Sequence, residues 1–95
     1  MRKRIKIISS GRSGTIQYLE VWLKVNDCEF YWEFGGGDTV ALVWFPAEHE
    51  WDAKYPWAIG RRREIIEFVA EETRRRQAPT TSIKWEGDCL LLVTR

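Results

Sequence analysis

From Thr15 to Val25 the chain alternates, with Leu19, Val21, Leu23 and Val25 in one phase and Tyr18, Glu20, Trp22 and Lys24 in the other. A period of two marks a strand with one face in a core. Asn26-Asp27 follows as a hairpin turn, made of residue types that tolerate the backbone such turns need. That turn sets Val25 opposite Cys28, Leu23 opposite Phe30, Val21 opposite Trp32 and Leu19 opposite Phe34. Directly opposed residues in an antiparallel pair share a side, so these make an unbroken apolar face. The other face then carries Lys24 against Glu29, Trp22 against Tyr31 and Glu20 against Glu33.

Gly35-Gly36-Gly37-Asp38 closes the next hairpin, and Thr39 to Phe45 is apolar in both phases. Such a strand is central to its sheet or covered on both faces. Pairing Phe34 with Thr39 puts Leu42 beside Tyr31 and Trp44 beside Glu29. Upstream, Ile5 to Ser9 is a short strand and residues 10–14 are a loop; downstream, residues 46–57 form a long connection carrying Trp51, Tyr55 and Trp57. Helical spacing of Ile59, Ile65, Ile66, Val69, Ala70 and Thr73 predicts a helix from about Ala58 to about Arg76, ended by Pro79. Its last turn holds Arg74, Arg75 and Arg76, which suit the negative end of the helix dipole, and Glu71–Arg75 and Glu72–Arg76 are spaced as i, i+4 ion pairs. Ser82 to Glu86, the turn Gly87-Asp88 and Cys89 to Thr94 make a closing hairpin with Trp85 opposite Leu90. The expected architecture is one α+β domain over residues 1–95. It combines a strand meander, one long helix and a C-terminal hairpin in an antiparallel sheet of about five or six strands, with the helix on one face. A helix of about 19 residues, roughly 28 Å long, covers one face of such a sheet and leaves the other to water, another layer or a partner.

Composition sharpens that vacancy. Six tryptophans stand in 95 residues, and each brings a large apolar ring with one N–H in need of a partner. Trp32 and Trp85 fall at core positions, and Trp51 and Trp57 anchor the long connection and the helix start. Trp22 and Trp44 fall on the face away from the core. The net charge of +1 hides segregation: residues 1–12 carry five basic groups and no acid, while residues 20–52 carry eight acids against Lys24 alone. An acidic middle segment is ill suited to a phosphate backbone and well suited to a basic partner. Met1-Arg2-Lys3-Arg4 is followed by too few apolar residues for a secretory signal, and no stretch reaches the length of a membrane span, so the expected location is cytoplasmic. Cys28 and Cys89 are then expected as two thiols rather than a disulfide.

Candidate chemistry is thin. Glu20 and Glu33, directly opposed, would stand about 5 Å apart at Cβ. That is a spacing at which paired carboxylates can divide acid and base roles, but a flat sheet face lacks the cleft catalysis needs. His49, the single histidine, lies among Glu48, Glu50 and Asp52 with no second imidazole or thiol at ligand spacing, so no metal is expected. The glycine run precedes no helix and lacks the lysine of a phosphate cradle, and no other cofactor motif occurs. Arg61-Arg62-Arg63 and Arg74-Arg75-Arg76 alternate with Glu64, Glu67, Glu71 and Glu72, the mark of a solvated helix face. Arg62 projects onto the apolar stripe and needs an acid such as Asp52.

The layout of a strand meander, a loop containing tryptophan and proline, one helix and closing strands resembles that of some small bacterial immunity proteins. This resemblance of layout implies neutralisation of a toxin by direct binding. The leading expectation from the residues is likewise a non-catalytic module that binds a protein partner or itself. Its site is the sheet face of Tyr18, Glu20, Trp22, Tyr31, Glu33, Leu42 and Trp44. The alternative is nucleic-acid binding through Arg2, Lys3, Arg4, Lys6 and the helix arginines. A small enzyme and a carbohydrate-binding platform rank below these.

Overall fold

The computed structural model describes residues 1–95. Six strands, β1 (Arg2–Ser10), β2 (Ser13–Val21), β3 (Val25–Phe34), β4 (Thr39–Trp44), β5 (Thr81–Glu86) and β6 (Cys89–Thr94), form one antiparallel sheet in the order β1-β2-β3-β4-β6-β5. Two helices, α1 (Glu48–Lys54) and α2 (Arg62–Gln77), and a 3₁₀ turn at Pro56–Ala58 lie on one face. The expected α+β class, the helix on one face and the closing hairpin are all present, and Trp85 does pair with Leu90.

The register of β2 on β3 differs from expectation. Trp22, Leu23 and Lys24 form the turn, Val21 pairs with Val25, and Asn26-Asp27 lies inside β3 opposite Glu20 and Leu19. The displacement is an odd number of residues, which turns β2 over. Ile16, Tyr18 and Glu20 now face the helices with Cys28, Phe30 and Trp32, whereas Gln17, Leu19 and Val21 share the opposite face with Asp27 and Glu29.

A long-range contact explains the choice. Gly14 sits opposite Trp32, and the Trp32 indole N–H donates to the Ile8 carbonyl oxygen on β1 at 3.2 Å. The ring therefore passes over β2 at its one glycine. A Cβ on Gly14 would overlap that same carbonyl oxygen and lie 2.9 Å from the indole nitrogen. Only this register brings a glycine under the indole, and it also pairs all of β2 with both neighbours.

The register of β4 on β3 is shifted by an even step, so faces are kept: Trp44 lies beside Tyr31 and Leu42 beside Glu33. β4 is central, between β3 and β6, as its two apolar phases require.

Residues 46–57 are not a loop. Glu48 and Glu50 in the first turn of α1 and Lys54 in the last complement the helix dipole, and seven residues are too few to reveal a helical period. Trp51 is buried against Phe30, with ring centroids 6.1 Å apart, and its indole donates to the Ala58 carbonyl at 2.9 Å. Gly60, at φ 75°, delays α2 to Arg62 and leaves Ile59 exposed. Ile65, Ile66, Val69, Ala70 and Thr73 form the buried stripe of α2 as expected.

Other pairings also differ in detail. Glu71 and Glu72 bind Arg74 and Arg75 at i, i+3, while Arg76 reaches the Ile5 carbonyl instead. Arg62 pairs with Asp88 at 2.8 Å and with the Pro46 carbonyl, and Asp52 accepts the Gly60 N–H. Trp85 is exposed rather than core, because β5 is an edge strand. Cys28 and Cys89 are free thiols on opposite faces of the sheet.

Gly14→Ala is expected to lower the unfolding free energy by about 1–3 kcal/mol or more, since the added carbon has only backbone to displace. Urea unfolding measures it. Gly36→Ala, where an added Cβ meets nothing within 4 Å, should change stability by less than about 0.5 kcal/mol.

Candidate functional site

The inversion of β2 divides the seven expected site residues among three places. Tyr18 and Glu20 face the helices and are buried, Trp22 stands at the β2–β3 turn with 77% of its surface exposed, and Tyr31, Glu33, Leu42 and Trp44 meet on the open face.

On the helix side Glu20 is only 5% exposed, and a carboxylate so placed needs partners for both oxygens. Arg61 supplies a fork, Nη1 to Oε1 at 3.2 Å and Nη2 to Oε2 at 2.7 Å, and the Tyr18 hydroxyl donates to Oε2 at 3.0 Å. Arg61 also binds Glu64 through Nε at 2.9 Å and lies 5.9 Å from the Trp57 ring centre. Tyr18 and Trp57 are parallel, 6.5 Å between centroids. Hydrogen bonds from Arg61 to Glu64 and Glu20 raise the guanidinium pKa, and those from Arg61 lower the Glu64 carboxyl below its ordinary value. Burial, followed by the bond to Glu20, pushes the Tyr18 phenol up. Arg61, expected on a solvated helix face, instead ties the start of α2 to β2. The Glu20–Glu33 pair does not form, because the two carboxylates lie on opposite faces of the sheet.

The neighbouring edge is sealed. β4 pairs with β3 only from Tyr31 onward, leaving the backbone of residues 25–30 without a strand on that side. The Tyr55 hydroxyl accepts the Glu29 N–H and donates to the Glu29 carbonyl, and the Trp57 indole donates to the Asp27 carbonyl at 3.2 Å. Two aromatics of the 46–57 segment thus stand in for a missing strand.

The open face has no helix on it. Tyr31 and Trp44, 50% and 37% exposed, pack with ring centroids 5.5 Å apart. The Tyr31 hydroxyl is oriented by Glu33 Oε2 at 3.2 Å. Leu91 beside Leu42 and Cys89 beside Trp44 extend the patch onto β6. These two were missed from sequence, since their inclusion depends on β6 lying next to β4 rather than on any local signal. Asp27, Glu29 and Glu33 form an acidic row on β3, while Arg2, Arg4 and Lys6 occupy the same face of the edge strand β1. Gln17 on β2 bridges toward the acids through Asp27 at 3.1 Å.

His49 is exposed, and no three His, Cys, Asp or Glu side chains converge as metal ligands. Of the helix arginines, Arg61, Arg62, Arg63, Arg74 and Arg75 are held in ion pairs. No helix is long and apolar enough to cross a membrane. No protein-family model matches the chain, and neither a curated protein nor a solved structure is similar enough to count as a match.

Glu20→Gln should cost about 1–3 kcal/mol in urea unfolding. Arg61 is partly exposed and keeps Glu64, which holds the loss below the about 3–5 kcal/mol seen when a fully buried pair is broken. Burial pushes the Cys28 thiol up to about 12, so at pH 8 it carries almost no thiolate. A disulfide reagent at that pH should modify the partly exposed Cys89 first, and Cys28 only on addition of denaturant.

Proposed function

We propose that this chain is a non-catalytic interaction module that docks a protein partner on the open sheet face. The observation that carries the reading is the Tyr31–Trp44 pair, half-exposed and in mutual contact on a face that no helix covers. Rigid aromatic pairs with an apolar surround and a charged rim are the usual centres of binding energy at protein interfaces. Leu42 and Leu91 supply the surround, and Glu29 and Glu33 supply a rim of negative charge. The chemistry this favours in a partner is an apolar side chain to sit on the two rings and basic groups for the carboxylates. Trp22, at the turn, is outside this patch.

A nucleic-acid reading draws on Arg2, Arg4 and Lys6, which line one face of an exposed edge strand. It loses most of the helix arginines to ion pairs, and Tyr31 is two strands away. Oligonucleotide binding that falls steeply with salt would favour it over the protein reading.

Trp44→Ser and Tyr31→Ser are expected to leave the circular dichroism spectrum and the solution mass of the monomer unchanged. Each should weaken retention of a partner by about 30-fold or more, as loss of an aromatic anchor does. The measurement compares wild-type and variant chains as bait, followed by titration of the retained protein. Equal retention by wild type and both variants would sink the proposal. A wild-type dimer that Trp44→Ser converts to monomer would make the occupant a second copy.

A further inference from the structure

The β2–β3 turn lies outside the Tyr31–Trp44 patch and is built unlike the other hairpins. Those three turn on glycine, with Gly11, Gly37 and Gly87 at positive φ. Here Trp22, Leu23 and Lys24 make the turn without any positive φ, closed by one bond from the Trp22 N–H to the Lys24 carbonyl at 3.2 Å. Large apolar residues are not turn formers, and the fold does not bury these two: Trp22 is 77% and Leu23 91% exposed. Met1, Val25 and Ile59, the next most exposed apolar side chains, belong to the same end. Val25 pairs with Val21, Met1 precedes Arg2 opposite Val21, and Ile59 lies between Trp57 and Arg61, which bond Asp27 and Glu20.

This end projects. β4 pairs with β3 only from Tyr31 onward, so Val25 stands six residues, about 20 Å of strand, beyond the reach of β4. The helix layer bonds the arm at Glu20 and Asp27, and the turn lies past both. It is also basic: residues 1–4 and 21–25, which meet here, hold four basic side chains and no acid. Arg2 and Arg4, opposite Val21 and Leu19, fall within about 10 Å of the turn along the strand, roughly one screening length. Arg2, Arg4 and Lys24 are exposed and none is held in an ion pair. Lys3 leans over the Phe68 ring on the helix side. The nearest exposed carboxylate on the arm, Asp27, accepts the Gln17 amide, and Glu20 is buried against Arg61.

A protein partner and a lipid surface ask different things of such an end. A specific protein interface buries roughly 800 Å² on each partner with matched shapes, more than a three-residue turn presents. An anionic bilayer needs no matched shape. It takes tryptophan and leucine into its interfacial layer and holds basic groups at the headgroups. We infer that the β2–β3 turn is a peripheral membrane anchor that inserts Trp22 and Leu23 into an anionic lipid surface, with Arg2, Arg4 and Lys24 at the headgroups. Contact of this kind uses no spanning segment. The anchor is separate from the Tyr31–Trp44 pair, so the two proposals stand or fall independently.

The test is sedimentation of the intact chain with phosphatidylcholine vesicles containing about 30% phosphatidylserine, and with phosphatidylcholine alone. Binding to the mixed vesicles that falls with added salt, and little binding to phosphatidylcholine, is expected. Trp22→Ser combined with Leu23→Ser should weaken it about 30-fold or more and leave the circular dichroism spectrum unchanged. Arg2→Gln, Arg4→Gln and Lys24→Gln should each weaken it about five-fold. Trp44→Ser should bind vesicles as the wild type does. Absence of sedimentation with the mixed vesicles overturns the inference, as does undiminished binding by the double variant or an equal loss in Trp44→Ser. A protein retained by the wild type and lost in the double variant, with no vesicle binding, would overturn it too, by making the occupant a protein.

Discussion

The Trp32 indole, lying across Gly14 to reach the Ile8 carbonyl, ties three strands at one point. A large ring can cross a neighbouring strand only where that strand has no side chain, so a single glycine decides how β2 and β3 are aligned. Because side chains alternate with a period of two, alignment also decides which residues face the helices. Glu20 turns inward and must find a counterion, and Arg61 at the start of α2 is that counterion. Tyr31 faces outward with or without the inversion of β2 and joins Trp44 through the pairing of β3 with β4. The buried ion-pair network is thus a consequence of one steric fact, and the open aromatic patch follows from the phases of β3 and β4.

The same contact orders the tryptophans. Trp32, Trp51 and Trp57 each donate the indole N–H to a backbone carbonyl, of Ile8, Ala58 and Asp27. Each bond spans elements that backbone pairing does not join. Trp32 crosses β2, Trp51 ties α1 to the 3₁₀ turn, and Trp57 seals the part of β3 that β4 does not reach. In a chain of this size, where burial is limited by surface-to-volume ratio, such bonds fasten elements without a larger core. Trp22, Trp44 and Trp85 keep their rings at the surface. The surplus divides into three fasteners and three rings that the fold leaves exposed.

Local pattern was sufficient wherever the deciding interaction was local. The core phase of β3, the apolar stripe of α2, the β5–β6 hairpin at Gly87-Asp88 and the central place of β4 all follow from periodicity and turn chemistry. Of the expected site, Tyr31, Glu33, Leu42 and Trp44 come together because β3 and β4 kept their phases. Tyr18, Glu20 and Trp22 leave it because two local signals on β2 pointed the wrong way. Asn26-Asp27 is a good turn and the run from Leu19 to Val25 alternates cleanly, yet neither carries information about a glycine opposite Trp32. α1 escaped notice because its seven residues span two turns, too short for a period to show. Leu91 and Cys89 required the strand order, which no hairpin signal contains.

The distribution of apolar residues over the open face is uneven in a way the fold does not demand. The edge strands β1 and β5 present Arg2, Arg4, Lys6 and Lys84 there, the choice expected where a sheet meets water, and β2 mixes Gln17 with Leu19 and Val21 beneath the long basic side chains of β1. Strands β4 and β6 present Leu42, Trp44 and Leu91 at equivalent positions. Helix packing cannot account for these three, since the helices lie behind the sheet, and the core is complete without them. Strand propensity does not account for leucine, which is not among the β-branched and aromatic residues that strands favour. What remains is that apolar surface at the centre of an open face lowers free energy only when something covers it. The patch is flanked by carboxylates on β3 while basic side chains stand on β1, so the cover it suits is one that matches charge to this asymmetry.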